Sequence, residues 1–146
     1  LNLVQMNNLI KRWNKPDSQA NFYLKSGLGN AYSDKGRFNS KKSIAGFTGV
    51  SADWENQRYF IQYNNRFTYA GEIDKFYTQY LHFGITPYIG NYGDIHTWIM
   101  MKIDHTPKYK KNFIFTPHLR FFKDVHLLEL GADLSGKVMF NYVFRY

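Results

Sequence analysis

The chain has 146 residues, no cysteine and a formal net charge of +8. That length holds one ordinary domain, residues 1–146, and is short for two. Without cysteine there is no disulfide staple, zinc–thiolate site or thiol nucleophile. Thirteen Phe, twelve Tyr and three Trp carry an unusual share of the apolar content, and rings favour strands and interfaces.

The charge implies an anionic partner. The basic residues concentrate only in "DKGRFNSKK" and "PKYKK", both turn-like, and no nucleic-acid-binding motif accompanies them, so a nucleic-acid partner is not expected. No run approaches the roughly 20 apolar residues of a transmembrane helix, but a barrel strand needs only about 9 to 11 of alternating character. The sequence shows neither an initiator Met nor a basic-then-apolar leader, which fits a processed or trimmed chain.

In chain order, "LNLVQMNNLIKRW" comes first. Leu3, Met6, Ile10 and Trp13 line one face of a helix, whereas Val4, Met6 and Ile10 alternate as in a strand; the turn "NKPDSQ" after it favours the strand. Segments 20–32, 43–55, 58–70, 75–90, 95–106, 112–122, 126–133 and the closing "KVMFNYVFRY" then repeat with period two, the mark of strands. The connectors "DKGRFNSKK", "ENQ", "GEID", "NYGD", "PKYKK", "KDV" and "LSG" are short and turn-rich, so consecutive antiparallel hairpins are expected and βαβ crossovers are not. Pro117 and Pro87 each remove a ladder donor and predict a bulge or a strand end. Gly27 and Gly29 predict a bend or close packing in the second strand.

Sorting alternate residues gives one continuous apolar face, for example Phe113, Phe115, Leu119 and Phe121, and one polar face. A soluble sandwich or carrier would turn the apolar face inward. A membrane barrel would turn it to lipid. The polar face holds Lys25, Asp53, Arg58, Arg66, Lys102, Asp104, Arg120, Glu129 and Arg145, with His82 and His118 beside them, a mixture of signs suited to pairing in a closed interior. Trp13, Trp54, Tyr69, Tyr88 and Tyr146 fall near strand ends, which suits an interfacial girdle or ordinary β packing.

The closing stretch "VMFNYVFRY", with Val138, Phe140, Tyr142, Phe144 and Tyr146 at alternate positions and an aromatic as last residue, resembles the C-terminal signal of bacterial outer-membrane β-barrel proteins. The resemblance implies an all-β, antiparallel, up-and-down transmembrane barrel of eight to ten strands in the bacterial outer membrane. It also implies a last strand that is read by the barrel assembly machinery and then closes against the first strand. Such barrels have even strand numbers and a periplasmic C-terminus, so either a first strand lies upstream of Leu1, giving ten, or residues 1–13 are helical, giving eight. Counting back from Tyr146 puts "LSG", "PKYKK", "GEID" and "DKGRFNSKK" outside. Lys35, Arg37, Lys41, Lys42, Lys108, Lys110 and Lys111 would then meet the phosphates of lipopolysaccharide.

No catalytic set is visible. The serines lack a Gly-x-Ser-x-Gly elbow, and the carboxylates share their face with Arg and Lys, so interior ion pairs are expected. His82, His96 and His118 all face inward; hairpin centres set His82 near Asp104 and His96 near Arg120, so they should not converge, and no metal or other cofactor is expected. The expected role is a structural or partner-binding barrel, or a narrow passive pore, with a polar lumen largely filled by side chains. Its partners would be outer-membrane lipid, lipopolysaccharide and a protein in the membrane. The alternatives are a lipid A-modifying outer-membrane enzyme and a soluble lipocalin-like carrier of an apolar ligand, the latter without the Gly-x-Trp opening of lipocalins.

Overall fold

Among the described residues, period-two patterning broken by short polar turns builds nine strands: β1 (Asn2–Lys15), β2 (Ser18–Ser33), β3 (Lys41–Asn56), β4 (Tyr59–Ala70), β5 (Asp74–Ile85), β6 (His96–His105), β7 (Phe113–Lys123), β8 (His126–Ala132) and β9 (Val138–Phe144). The computed structural model describes the chain except for residues 35, 37–39, 92, 109–111, 145 and 146. Every strand pairs antiparallel with the next in one sheet of order β1 to β9, curled into a half-barrel. No helix among the described residues is long and apolar enough to cross a membrane.

The first segment is a strand, which overturns the helical alternative for residues 1–13. Its helix-like spacing has a simple origin. The β1–β2 register runs from Asn2↔Asn30 to Leu9↔Tyr23, skips Ile10 and resumes at Lys11↔Phe22, so one extra residue sits in a bulge. Val4 and Met6 before it and Trp13 after it therefore share a face, and Met6 and Trp13 stand seven residues apart, two turns of a helix, where an unbroken strand would require an even number.

Nine strands in an up-and-down meander leave β1 and β9 pointing the same way, so they cannot close antiparallel on each other. Among the described residues each pairs with a single neighbour. The expected closure of the last strand against the first is thus not met within this sheet.

Both prolines act at the ladder. Pro87 lies beyond the end of β5 at Ile85, as a strand-ending proline should. Pro117 neither bulges nor ends its strand: the β6–β7 register runs through Met101↔Pro117. On the other side the β7–β8 register begins at His118↔Gly131. Its missing donor falls where the second ladder stops, the position a strand proline tolerates. Gly27 and Gly29 mark close packing, because a Cβ at Gly27 would strike the Phe47 ring and one at Gly29 the Asn2 carbonyl.

Burial is inside out for a water-soluble domain. Asn21, Ser51, Asn64, Thr68, His82, Thr86, Thr116, His118 and Glu129 are buried, while among the described residues the buried hydrophobic ones are Ala31, Ala45, Phe47, Ala70 and Met100. Large apolar side chains such as Val4, Leu28, Ile44, Ile99, Leu119 and Phe140 are exposed on the convex face. The convex skin is less continuous than its sequence pattern suggests. Gln79 bonds Tyr63, Tyr77 and His105 there, and Asn65 Oδ1 accepts from Val50 N. These polar groups interrupt the apolar surface, but they satisfy one another or the backbone.

Candidate functional site: a histidine and carboxylate cluster on the concave face

Register fixes which side chains share the concave face. Gln62 opposes His82, His82 opposes Lys102, Met100 opposes His118, and Arg120 opposes Glu129. All nine described members of the expected polar network, Lys25, Asp53, Arg66, His82, Lys102, Asp104, His118, Arg120 and Glu129, stand on this face by that parity; Arg145 lies outside the described residues.

They form separate groups. The tightest spans β5, β7, β8 and β9. His82 Nε2 and His118 Nε2 are 2.9 Å apart, and His118 Nε2 lies 3.9 Å from Glu129 Oε1. Arg120 Nε donates to Glu129 Oε1 at 2.7 Å, Asn141 Nδ2 donates to Glu129 Oε2 at 2.8 Å, and His118 Nδ1 meets the Thr116 carbonyl at 3.1 Å. Arg120 also stacks its guanidinium over Phe60, whose ring meets His82 edge-on at 5.4 Å between centroids.

The convergence of His82 and His118 corrects the expectation that the inward histidines stay apart. Comparison of adjacent strands alone misses it. The two residues lie on β5 and β7, whose backbones are separated by two strand spacings, about 9.6 Å on a flat sheet; concave curvature and the inward reach of two imidazoles close that gap over β6. Two glycines make room. A Cβ at Gly131 would collide with His118 Cβ and the Pro117 carbonyl, and one at Gly84 would collide with the Met100 sulfur. His96 remains apart, opposite Phe122.

Elsewhere on the face Lys102 pairs with Asp104 at 2.9 Å. Arg66 lies 3.6 Å from the centre of the Phe47 ring and donates to Thr68. Asp53 accepts from Asn21, which in turn accepts from Arg12, at 2.8 and 2.7 Å. Asn21 and Arg12, unassigned in the sequence reading, join Lys25, Asp53 and Arg120 in lining a concave cavity of about 790 Å³. The concave face of this open sheet therefore holds room as well as paired side chains. Ser51 lines the same cavity, and its hydroxyl is the one buried side-chain polar atom among the described residues without a hydrogen-bond partner.

At one rim of the sheet the loops are stitched by charge. Lys41 pairs with Glu72 and Lys108 with Asp74, linking the β2–β3, β4–β5 and β6–β7 connections. Of the expected lipopolysaccharide contacts, Lys41 and Lys108 are therefore engaged within the chain, Lys42 is exposed, and Lys35, Arg37, Lys110 and Lys111 lie outside the described residues. Of the expected assembly signal, Val138, Phe140, Tyr142 and Phe144 stand exposed on the convex face of β9; Tyr146 is outside the described residues. Comparison with known protein families, with curated proteins and with solved structures finds no match to this chain.

Proposed function

We propose that the chain forms the wall of a small bacterial outer-membrane β-barrel, with its convex face in lipid and its concave face lining a polar lumen. Its role is that of a structural, partner-binding or narrow passive pore element. The observation that carries this reading is the inverted burial: exposed aliphatics and rings outside, paired Arg, Glu, His and Asn inside. In a soluble carrier of apolar ligands the two faces would be exchanged. In a membrane barrel this is the expected arrangement.

Two further observations agree. Trp13, Trp54 and Tyr59 are exposed near one rim, and Tyr32 and Tyr69 near the other, as aromatic girdles at two interfaces would be. Strands β1 to β7 are 10 to 16 residues long, long enough to cross a bilayer at the usual tilt. Closure takes strand edges beyond these nine, supplied to β1 and β9 by further chain or by another barrel-forming subunit. The basic rim, with Lys42 exposed, faces the phosphates of lipopolysaccharide.

Cell fractionation and detergent-resistant, heat-modifiable gel mobility test the reading. Recovery with outer membranes and a mobility shift on boiling are expected. A chain that stays monomeric in buffer without detergent would overturn it and return the soluble carrier. Altered lipid A mass spectra on expression would instead favour the enzyme.

A further inference from the structure

We propose that His82, His118 and Glu129 form a binding site for one late first-row transition-metal ion, Zn²⁺ or Cu²⁺, on the concave face. The inference rests on side-chain geometry and holds whichever medium the two faces of the sheet meet.

Donor positions come first. The ligand atoms of the three residues all lie within 4.8 Å of one another, and all three residues are buried. An ion held at about 2.0 to 2.2 Å by imidazole nitrogen and carboxylate oxygen spans donors up to about 4.4 Å apart. The two Nε2 atoms at 2.9 Å need to separate by a few tenths of an ångström, and the Glu129 carboxylate, 3.9 Å from His118 Nε2 and within 4.8 Å of His82, needs to swing inward by about an ångström to complete the set.

Orientation comes second. A carbonyl only accepts, so the Thr116 contact fixes the proton of His118 on Nδ1 and leaves its Nε2 lone pair aimed at His82. A backbone carbonyl on the far nitrogen of the ring is the support that metal-bound imidazoles use. Without an ion, His82 must donate from Nε2 to fill that lone pair. On binding, neutral His82 moves this proton to its own Nδ1, so both Nε2 lone pairs face the metal and no net proton leaves.

Selectivity follows from the neighbours. Glu129 Oε1 already accepts from Arg120, leaving it one lone pair for an ion, and the guanidinium opposes added positive charge. Two nitrogens and half a carboxylate suit Zn²⁺ and Cu²⁺, whereas Ca²⁺ and Mg²⁺ require shells of oxygen.

Isothermal titration of the folded, detergent-solubilised chain with ZnCl₂ tests the site. One Zn²⁺ per chain is expected, with affinity lowered on the order of a hundredfold in His82→Gln and in His118→Gln, at least the cost of losing an outer-shell partner. His96→Gln and His105→Gln should bind as the parent does, and CaCl₂ and MgCl₂ should give no binding heat. Because a cluster variant can misfold, Cu²⁺ electron paramagnetic resonance on the unmutated chain, with and without ¹⁵N-histidine, provides the independent readout. Hyperfine coupling to two imidazole nitrogens supports the site. Absence of bound metal, a different nitrogen count, or Zn²⁺ affinity unchanged in both histidine variants overturns it. Gel mobility and fractionation are unaffected by any of these results, so failure here leaves the barrel reading standing.

Discussion

Glu129 and Ser51 lie on the same concave face with opposite hydrogen-bonding fates. Glu129 uses both oxygens, one on Arg120 and one on Asn141, and the side chains of the Glu129–Arg120 pair are only 10 % and 17 % exposed. Removing one member of such a pair leaves the other charge buried. The neighbouring cavity lets Arg120 recover some water, so Glu129→Leu is expected to cost about 2 kcal/mol, below the roughly 3 to 5 of a fully enclosed pair. Arg120→Met in the same chain should restore more than half of the loss, since the stranded charge goes with it. Urea unfolding of the two single variants and the double variant measures this as a coupling energy. Ser51 gives the reverse case. Its hydroxyl is buried with no partner among the described residues, a desolvation cost without return. Ser51→Ala should leave stability unchanged or raise it by up to about 1 kcal/mol; a clear loss in the same unfolding assay would mean that the hydroxyl is bonded to cavity water.

At the scale of elements, strands were the legible part of this chain and sideways convergence was not. The segment at 43–55 becomes β3 at Lys41–Asn56, and that at 112–122 becomes β7 at Phe113–Lys123, because alternation and turn residues are local signals. The bulge at Ile10 was hidden, since one inserted residue turns a period of two into the three-and-four spacing of a helix. The face of His82 and of His118 was readable from parity; their contact was not, because it depends on how sharply the sheet curls across β6. Of the β8–β9 turn, only "LSG" was legible in the sequence. The structure adds that Asp133 organises the whole β8–β9 connection, accepting from Ser135 N, Ser135 Oγ and Lys137 N at 2.7 to 2.9 Å. The Ser135 hydroxyl, followed by the Lys137 amide, holds the Asp133 carboxyl below the usual carboxylate range. A depressed folded value means that the turn's stabilisation is complete above the unfolded pKa of about 3.9. It is lost as pH falls through the lower folded value. Amide chemical shifts of Ser135 and Lys137 should therefore hold steady from neutral pH to about 4 and move together only in stronger acid. In Asp133→Asn that acid step should vanish.

At the scale of the molecule, what distinguishes the sheet is that its two faces exchange the roles they have in water-soluble proteins. Leu119 makes the contrast measurable. It sits on the convex face near the middle of β7, 42 % exposed, flanked across the ladders by Ile99 and Leu130, while its chain neighbours His118 and Arg120 turn into the polar interior. If the convex face meets lipid, an arginine at this depth has no water within easy reach and its burial costs roughly 2 to 4 kcal/mol. If that face meets water, the same change touches no buried group and stays within about 0.5 kcal/mol of zero. The two media thus give answers separated by more than the error of the measurement. Leu119→Arg in chains folded into phosphatidylcholine vesicles, followed through urea unfolding, is expected to lose the larger amount. On the same reading, arginine in place of Tyr59, exposed at the start of β4, should lose about 1 kcal/mol or less, because the penalty falls toward the interface. A depth-dependent loss of this kind requires an apolar slab around the sheet, since a water-exposed surface carries no gradient from rim to centre.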